Sequence, residues 1–322
     1  MPREELRCDA SNEMPAPDLA SLSGNAATIV QRIAGNVLRD LRSMRAVLGE
    51  SCCEPDFACL TQSVISSLSH IGHQIMAGRS RPGVKVRHSP GGGRVPPVPR
   101  EIRLGVFPIA GNPFHWAHLL GGLLTMETFA LDKIIYVIAG SDPRKPELAP
   151  AEARHAMART LLRLFRPLLE YSAIALRDSS SGEENLFRIL GMNPRQPLHA
   201  FYIAGSDHYH RWDPMTGEPD TLEKLEEGIA RSAHGFDNHP HRVSAVFLER
   251  EPVEQEIPTR LDVLWVRGLP VQTSSTGIRR AFCERDQREK LCTLPFTAYL
   301  SICGNRLYSA EVISSQAVPA DP

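Results

Sequence analysis

Hydrophobic positions in the first quarter of the chain recur every three or four residues, which is the spacing of one helix face. One series predicts an amphipathic helix over residues 25–48, and a second predicts another over 56–76. Apolar stripes of this kind usually pack against a core. We therefore interpret residues 1–76 as a helical N-terminal extension that packs on the rest of the protein or forms a homo-oligomer. Binding of a partner through the apolar faces is the alternative.

Residues 77–100 have a different composition. They contain five prolines, five arginines and the glycine run at 91–93. This composition does not support a core of its own and predicts a linker. Its positive charge leaves open a contact with phosphate or with an acidic partner, and a solvated linker is the simpler interpretation.

From residue 101 onward, short β-branched runs alternate with stretches of helical spacing. This alternation predicts an α/β fold over residues 101–310, a doubly wound parallel sheet with helices on both faces, followed by a flexible tail at 311–322. In such sheets, ligands bind beyond the carboxyl ends of the strands. The predicted strands are 103–109, 133–138, 174–176, 200–204, 243–248 and 263–266, and the predicted helices between them are 118–130, 150–165 and 222–230.

Composition narrows the functional classes. The 322 residues are 42% hydrophobic and 23% charged, with a formal net charge of -1. These values are typical of a globular protein and lack the basic excess of a nucleic-acid-binding protein. No apolar run approaches the roughly 20 residues that a membrane span needs, and the N-terminus lacks the blocks of a signal peptide. We therefore expect a cytoplasmic protein that binds neither nucleic acid nor membrane.

The most informative cluster follows the first predicted strand of the sheet. A tight turn at residues 111–113 leads to two histidines, His115 and His118, at the start of a helix. Residues three apart on a helix share a face, so the two side chains point the same way. The unpaired N–H groups of a first helical turn also bind anions. The cluster therefore predicts a phosphate site with titratable donors.

Two further polar clusters follow predicted strands. Gly205-Ser206-Asp207 comes directly after an apolar run, and residues 273–279 open a helix after another one. In the second of these, hydroxyl groups can bind phosphate and the planar guanidinium of Arg279 can chelate its oxygens. Taken singly, the serines and Asp207 could be helix caps and the histidines packing residues. Their joint occurrence at strand ends favours a binding site.

The first and third clusters together resemble the signatures of a known family. His115-Trp116-Ala117-His118 resembles the HxGH signature of the nucleotidyltransferases, and residues 273–279 resemble their ISSTxxR signature. Within that superfamily the chain is most similar to the nicotinamide/nicotinate mononucleotide adenylyltransferases, from residue 101 to about 310. Further similarity lies in Asp142-Pro143-Arg144-Lys145-Pro146, Arg154-His155-Ala156-Met157, Gly205-Ser206-Asp207, and a closing segment with Leu294-Pro295, Tyr299 and Leu307-Tyr308.

The resemblance implies a Rossmann-like nucleotidyltransferase fold and an enzyme of NAD biosynthesis. Such an enzyme joins ATP to nicotinate or nicotinamide mononucleotide and releases pyrophosphate, with Mg²⁺ bound mainly by the triphosphate. The implied catalytic residues are His115, His118 and Arg279. The implied ATP-binding residues are Ala110, Gly111, Ala117, Ser274, Ser275 and Thr276. The implied mononucleotide-binding residues are Lys145, Gly205, Asp207 and Trp212.

Departures from the family pattern leave two alternatives open. Pro108 and Ile109 stand where the family usually has glycines, and Ala117 stands at the glycine of HxGH. An added methyl group at a tight contact can cost about 1–3 kcal/mol. One alternative is therefore a non-catalytic nucleotide-binding protein on the same fold. The other is a superfamily transferase acting on a different phosphate, such as phosphopantetheine or glycerol phosphate.

Overall fold

The structure is a computed structural model. It describes residues 19–49, 54–91, 93, 95–141, 147–236, 241–250, 253, 256–271, 273–283 and 290–308. All six strands of its sheet are parallel, in the order β3-β2-β1-β4-β5-β6. The strands are β1 (Ile102–Ile109), β2 (Lys133–Ile138), β3 (Leu169–Ser172), β4 (Leu198–Gly205), β5 (Arg242–Leu248) and β6 (Asp262–Val266).

The predicted doubly wound sheet is confirmed. The strand order reverses between β1 and β4, which creates a crevice beyond their carboxyl ends. The helices of the described residues are α1 (Gly24–Leu48), α2 (Glu54–Met76), α3 (Trp116–Phe129), α4 (Ala151–Leu162), α5 (Gly182–Gly191), α6 (Thr221–Phe236), α7 (Ser275–Cys283) and α8 (Phe296–Gly304).

Helices cover both faces of the sheet because the strand side chains alternate between two cores. Phe107 and Ile109 of β1 point into a core shared with α1, α2, α3, α4, α7 and α8. Leu104 and Val106 point into the opposite core, which is shared with α5 and α6. Both faces of β1 and β2 are therefore apolar, as expected for central parallel strands.

The predicted strand at 174–176 is wrong. That segment is a turn, in which the Leu176 N–H donates to the Ala173 carbonyl at 3.2 Å. The edge strand is β3, whose Glu170 and Tyr171 are only half-buried. An edge strand pairs on one side only, so its sequence does not need the continuous apolar run that marks a central strand.

The N-terminal helices form at the predicted positions and pack on the sheet domain. Ile33, Val37 and Leu68 are fully buried in the core that contains α3 and α4. The apolar stripes are therefore covered within the chain, and formation of a homo-oligomer stays a prediction. None of the described helices is both long enough and apolar enough to cross a membrane.

The described part of the predicted linker runs along the surface of the sheet domain. The Ser80 hydroxyl donates to the Leu131 carbonyl at 2.7 Å, and the Arg81 N–H donates to Asp132 Oδ1 at 2.7 Å. Val86 is buried in the α5 and α6 core. Asn193 also bonds both the N–H and the carbonyl of Arg87, and Arg100 pairs with Asp132 at 2.7 Å. Many hydrogen bonds and ion pairs therefore hold this segment on the domain, although its composition is that of a linker.

Candidate active site

The loop between β1 and α3 is held in a defined shape by its glycine and its asparagine. Gly111 adopts φ +61°, a left-handed conformation that favours glycine. The Asn112 side chain is 2% exposed, and its Oδ1 accepts hydrogen bonds from the Ala149 N–H at 3.0 Å and the Tyr308 hydroxyl at 2.8 Å. The backbone after Ala110 is thereby fixed from two distant parts of the chain.

His115 and His118 meet at the N-terminus of α3, where His115 is the N-cap residue. Their rings stack with centroids 3.8 Å apart. His118 Nδ1 accepts the His115 N–H at 3.3 Å, so in the neutral ring the proton lies on Nε2. The His115 side chain in turn faces the His118 N–H in a reciprocal capping box, and its Nδ1 atom is buried. The two rings are therefore held in place by the start of the helix that carries them.

Burial and positive charge keep both imidazoles neutral. Burial and Arg250 lower the pKa of His118 to about 3. Burial, His118 and Arg250 lower the pKa of His115 well below its usual value. A phosphate brought between these groups would offset the Arg250 charge and raise both pKa values.

The start of α7 lies against the β1–α3 loop. Arg279 Nη1 donates to the Asn112 carbonyl at 2.8 Å, and the Ser275 hydroxyl donates to the Pro113 carbonyl at 3.2 Å. Arg279 Nη2 donates to Thr276 Oγ1 at 3.1 Å. The structure therefore brings the two signature clusters together. Ser274 has the capping role that was the simpler interpretation of a serine here, since its Oγ accepts the Gly277 N–H at 3.0 Å.

Arg250 is a site residue that sequence reasoning missed. It follows β5, and its Nη1 lies 3.5 Å from Asp207 Oδ1, while its N–H donates to Ser206 Oγ at 3.1 Å. Gly205 lies close beside this pair: a Cβ there would be 2.1 Å from Asp207 Oδ1, so a larger residue would displace the exposed Asp207 side chain. The signal that could have revealed Arg250 is its position directly after a parallel strand, at the edge where the other clusters lie.

Arg154 makes contacts near the site that the sequence alone does not predict. Its guanidinium is 1% exposed and donates to carbonyls at the ends of β1 and β2. These acceptors are the carbonyls of Ala110 at 2.6 Å, Ala139 at 2.8 Å and Gly140 at 2.6 Å. A fourth acceptor is the Ala149 carbonyl at 2.8 Å, just before the start of α4. This buried cation therefore holds together the loops that follow β1 and β2, including the start of the loop that leads to the histidines.

Two other predicted site residues take no part in the described hydrogen bonds that join α7 to the β1–α3 loop. Ala117 is in the first turn of α3 and packs partly against the core. Trp212 is 53% exposed, in a loop where it forms an isolated bridge with Pro219. Lys145 lies outside the described residues. Among the described residues, no group of three or more His, Cys, Asp and Glu side chains could hold a metal ion.

Comparisons with known proteins agree with the signatures. The chain is 29% identical over 202 residues to a probable nicotinate-nucleotide adenylyltransferase of Thermus thermophilus, covering 56% of this chain and 100% of that one. It is 28% identical over 202 residues to the same-named protein of Clostridium acetobutylicum, covering 61% of this chain and 94% of the relative. No protein-family model matches.

Solved structures give a weaker likeness. Plasmodium falciparum nicotinic acid mononucleotide adenylyltransferase complexed with APC aligns over 64% of this chain and 97% of its own, with 14% identity and a TM-score of 0.43. The sequence relatives, together with the two signature clusters that the Arg279–Asn112 bond joins, support a nucleotidyltransferase. Among nucleotidyltransferases, the chain is most like the nicotinate-nucleotide adenylyltransferases.

Proposed function

We propose that this protein transfers the adenylyl group of ATP to nicotinate or nicotinamide mononucleotide. The observation that carries the proposal is the contact of Arg279 and Ser275 with the carbonyls of Asn112 and Pro113. It joins the start of α7 to the loop that leads into the histidine pair of α3, which supports a single triphosphate bound by both elements. The sequence relatives support the choice of mononucleotide.

The reaction needs no protein nucleophile. An oxygen of the mononucleotide phosphate attacks the α-phosphorus of ATP and forms a new P–O bond. The bond from the α-phosphorus to the bridging oxygen breaks, and its electron pair leaves with pyrophosphate. Catalysis then consists of positioning and charge stabilisation.

The residues of the two clusters divide this task. His118 Nε2–H and His115 would stabilise the developing charge on the α-phosphoryl oxygens, and Ala110, Gly111 and Ala117 would line the ATP site. Ser274, Ser275, Thr276 and Arg279 would bind the β- and γ-phosphates. Phosphate oxygens are stronger acceptors than the carbonyls that Ser275 and Arg279 contact, because the hydrogen bonds become charge-assisted. Binding of ATP would therefore exchange these partners.

The mononucleotide would lie at the crevice between β1 and β4. Asp207, beside Gly205, would accept hydrogen bonds from ribose hydroxyls, and Lys145 would meet the incoming phosphate. Trp212 offers an exposed ring for stacking. Mg²⁺ would enter with ATP, bound by phosphate oxygens and water, which are its preferred ligands, and would offset phosphate charge.

Pyrophosphate release tests the proposal directly. The wild-type protein is incubated with ATP, Mg²⁺ and either nicotinate or nicotinamide mononucleotide, and His118→Ala is the matched variant. Loss of one preorganised donor is expected to lower kcat by about 10²–10³. Release with neither mononucleotide, or equal rates in His118→Ala, would contradict the proposal. Nucleotide binding by calorimetry without turnover would instead indicate a binding protein.

A further inference from the structure

Helix α8 is capped by a residue from the N-terminal extension. Its own N-cap position is Pro295, whose ring offers no hydrogen-bonding group. Asp40 of α1 instead accepts the Phe296 N–H at 2.8 Å, the Thr297 N–H at 2.9 Å and the Thr297 hydroxyl at 2.6 Å. Asp40 is 6% exposed. A carboxylate here satisfies helix donors that would otherwise lack partners and complements the helix dipole.

The other end of α8 reaches the loop that precedes the histidines. The chain after α8 folds back on its last turn, where the Leu307 N–H donates to the Ile302 carbonyl at 3.0 Å. Tyr308 then adopts φ +60°, a left-handed conformation that costs a non-glycine residue about 1 kcal/mol or more. Its hydroxyl donates to Asn112 Oδ1 at 2.8 Å. The strain is offset by this buried contact.

The middle of α8 contacts the second phosphate-binding element. The Tyr299 ring stacks on Phe282 of α7, with centroids 6.0 Å apart and planes inclined by 22°. Phe282 also lies 6.3 Å from the Tyr308 ring, centroid to centroid. One helix thus packs against both the Asn112 loop and the helix that carries Arg279.

We propose that Asp40 is a positioning residue for the phosphate site, acting through α8 on the Asn112 loop and on α7. On this view residues 24–48 are part of the active-site architecture, although they lie outside the segment that resembles the family. The proposal rests on the proposed function only for its kinetic readout. Its structural readout is independent of which reaction the site performs.

Amide hydrogen exchange on the full-length protein provides that structural readout. Asp40→Ala is expected to speed exchange of the amides in residues 111–119 and 276–282 about tenfold, the factor that corresponds to loss of a typical helix cap. Asn36→Ala is the matched control. Asn36 lies on the same helix and donates to the Leu164 carbonyl at 3.2 Å, so its hydrogen bond does not involve α8 or Tyr308. It should leave both segments at wild-type rates.

Restoring a cap in another way separates positioning from general stability. The double variant Asp40→Ala/Pro295→Asp gives α8 a capping side chain of its own. It should return exchange in 111–119 to within about twofold of wild type. If Asp40→Ala does not fold, Asp40→Asn replaces it; asparagine keeps one acceptor oxygen and loses the charge, so exchange in both segments should speed by a smaller factor, about two- to threefold.

Kinetics give the second readout. Asp40→Ala should raise the KM for ATP about tenfold while kcat changes less than about threefold, and the double variant should restore KM. Unchanged exchange in Asp40→Ala, or equal acceleration in Asn36→Ala, would overturn the proposal. Absence of turnover in the wild type would overturn the proposed function and leave the exchange result to decide the role of Asp40.

Discussion

Arg279 donates a hydrogen bond from Nη1 to the main-chain carbonyl of Asn112 at 2.8 Å, across 167 residues of chain. This bond joins α7 to the loop that ends at the histidine pair. A guanidinium binds phosphate in preference to a neutral carbonyl, so ATP binding would exchange this contact for phosphate contacts. Until then the bond holds Arg279 against the loop that leads to the histidines.

Arg279→Lys should weaken ATP binding although it keeps the positive charge. Lysine lacks the planar fork that reaches two oxygens. Loss of one hydrogen bond to a charged group costs about 1.5–3 kcal/mol, so the KM for ATP should rise about 10- to 100-fold. Arg280→Lys, on the exposed face of the same helix, is the control and should behave as wild type. Equal KM values for the two variants would contradict the assigned role.

The buried histidines should make the folded state less stable in mild acid. The unfolded chain protonates a histidine below pH 6.5, whereas burial and Arg250 keep the folded pKa of His118 at about 3. The unfolded state therefore binds more protons between these pH values, and stability falls as pH falls. From pH 7 to pH 5 this residue should account for about 2 kcal/mol. His115 acts in the same direction.

Denaturant unfolding at pH 7 and pH 5 measures this effect. The free energy of unfolding should fall between pH 7 and pH 5 by about 2 kcal/mol less in His118→Asn than in the wild type. The same pH dependence in both proteins would show that His118 titrates normally in the folded state.

Arg154→Met should destabilise the fold strongly. The substitution removes the guanidinium donors to four carbonyls, of which those of Gly140 and Ala149 are buried and those of Ala110 and Ala139 are half-buried. Unsatisfied buried groups cost about 1–3 kcal/mol each before relaxation, so a net loss of about 3–5 kcal/mol is expected in denaturant unfolding. Arg159→Met on the exposed face of α4 should change stability by less than about 0.5 kcal/mol. A small effect at Arg154 would mean that water replaces the guanidinium.

Ala117→Gly should improve ATP binding at a cost in stability. The resemblance to HxGH implies that adenine approaches the backbone of α3 at this position, where Ala117 carries a methyl group. Its removal should lower the KM for ATP severalfold, while glycine in the helix costs about 1 kcal/mol. Ala153→Gly in α4 is the control for the propensity effect alone. An unchanged or higher KM in Ala117→Gly would exclude a steric role for the methyl group.

Predictions from local pattern succeeded where burial is uniform. The central strand Lys133–Ile138 has the predicted bounds because both of its faces are buried and its residues are almost all apolar. The long amphipathic helices also lie within two residues of their predicted starts. Helix α5 was not predicted, although Ser181 and Glu184 form a capping box that marks its start.

The sequence by itself determined the helical stripes, the buried strands, the sheet class and the two clusters that resemble nucleotidyltransferase signatures. All of these depend on residues close together in the chain, whose spacing sets a period or a motif. Only the tertiary structure decided that Arg279 meets Asn112, that Arg250 lies beside Asp207, and that Asp40 caps α8. These contacts follow from strand order and helix packing, which bring distant residues together without leaving a periodic trace in the sequence.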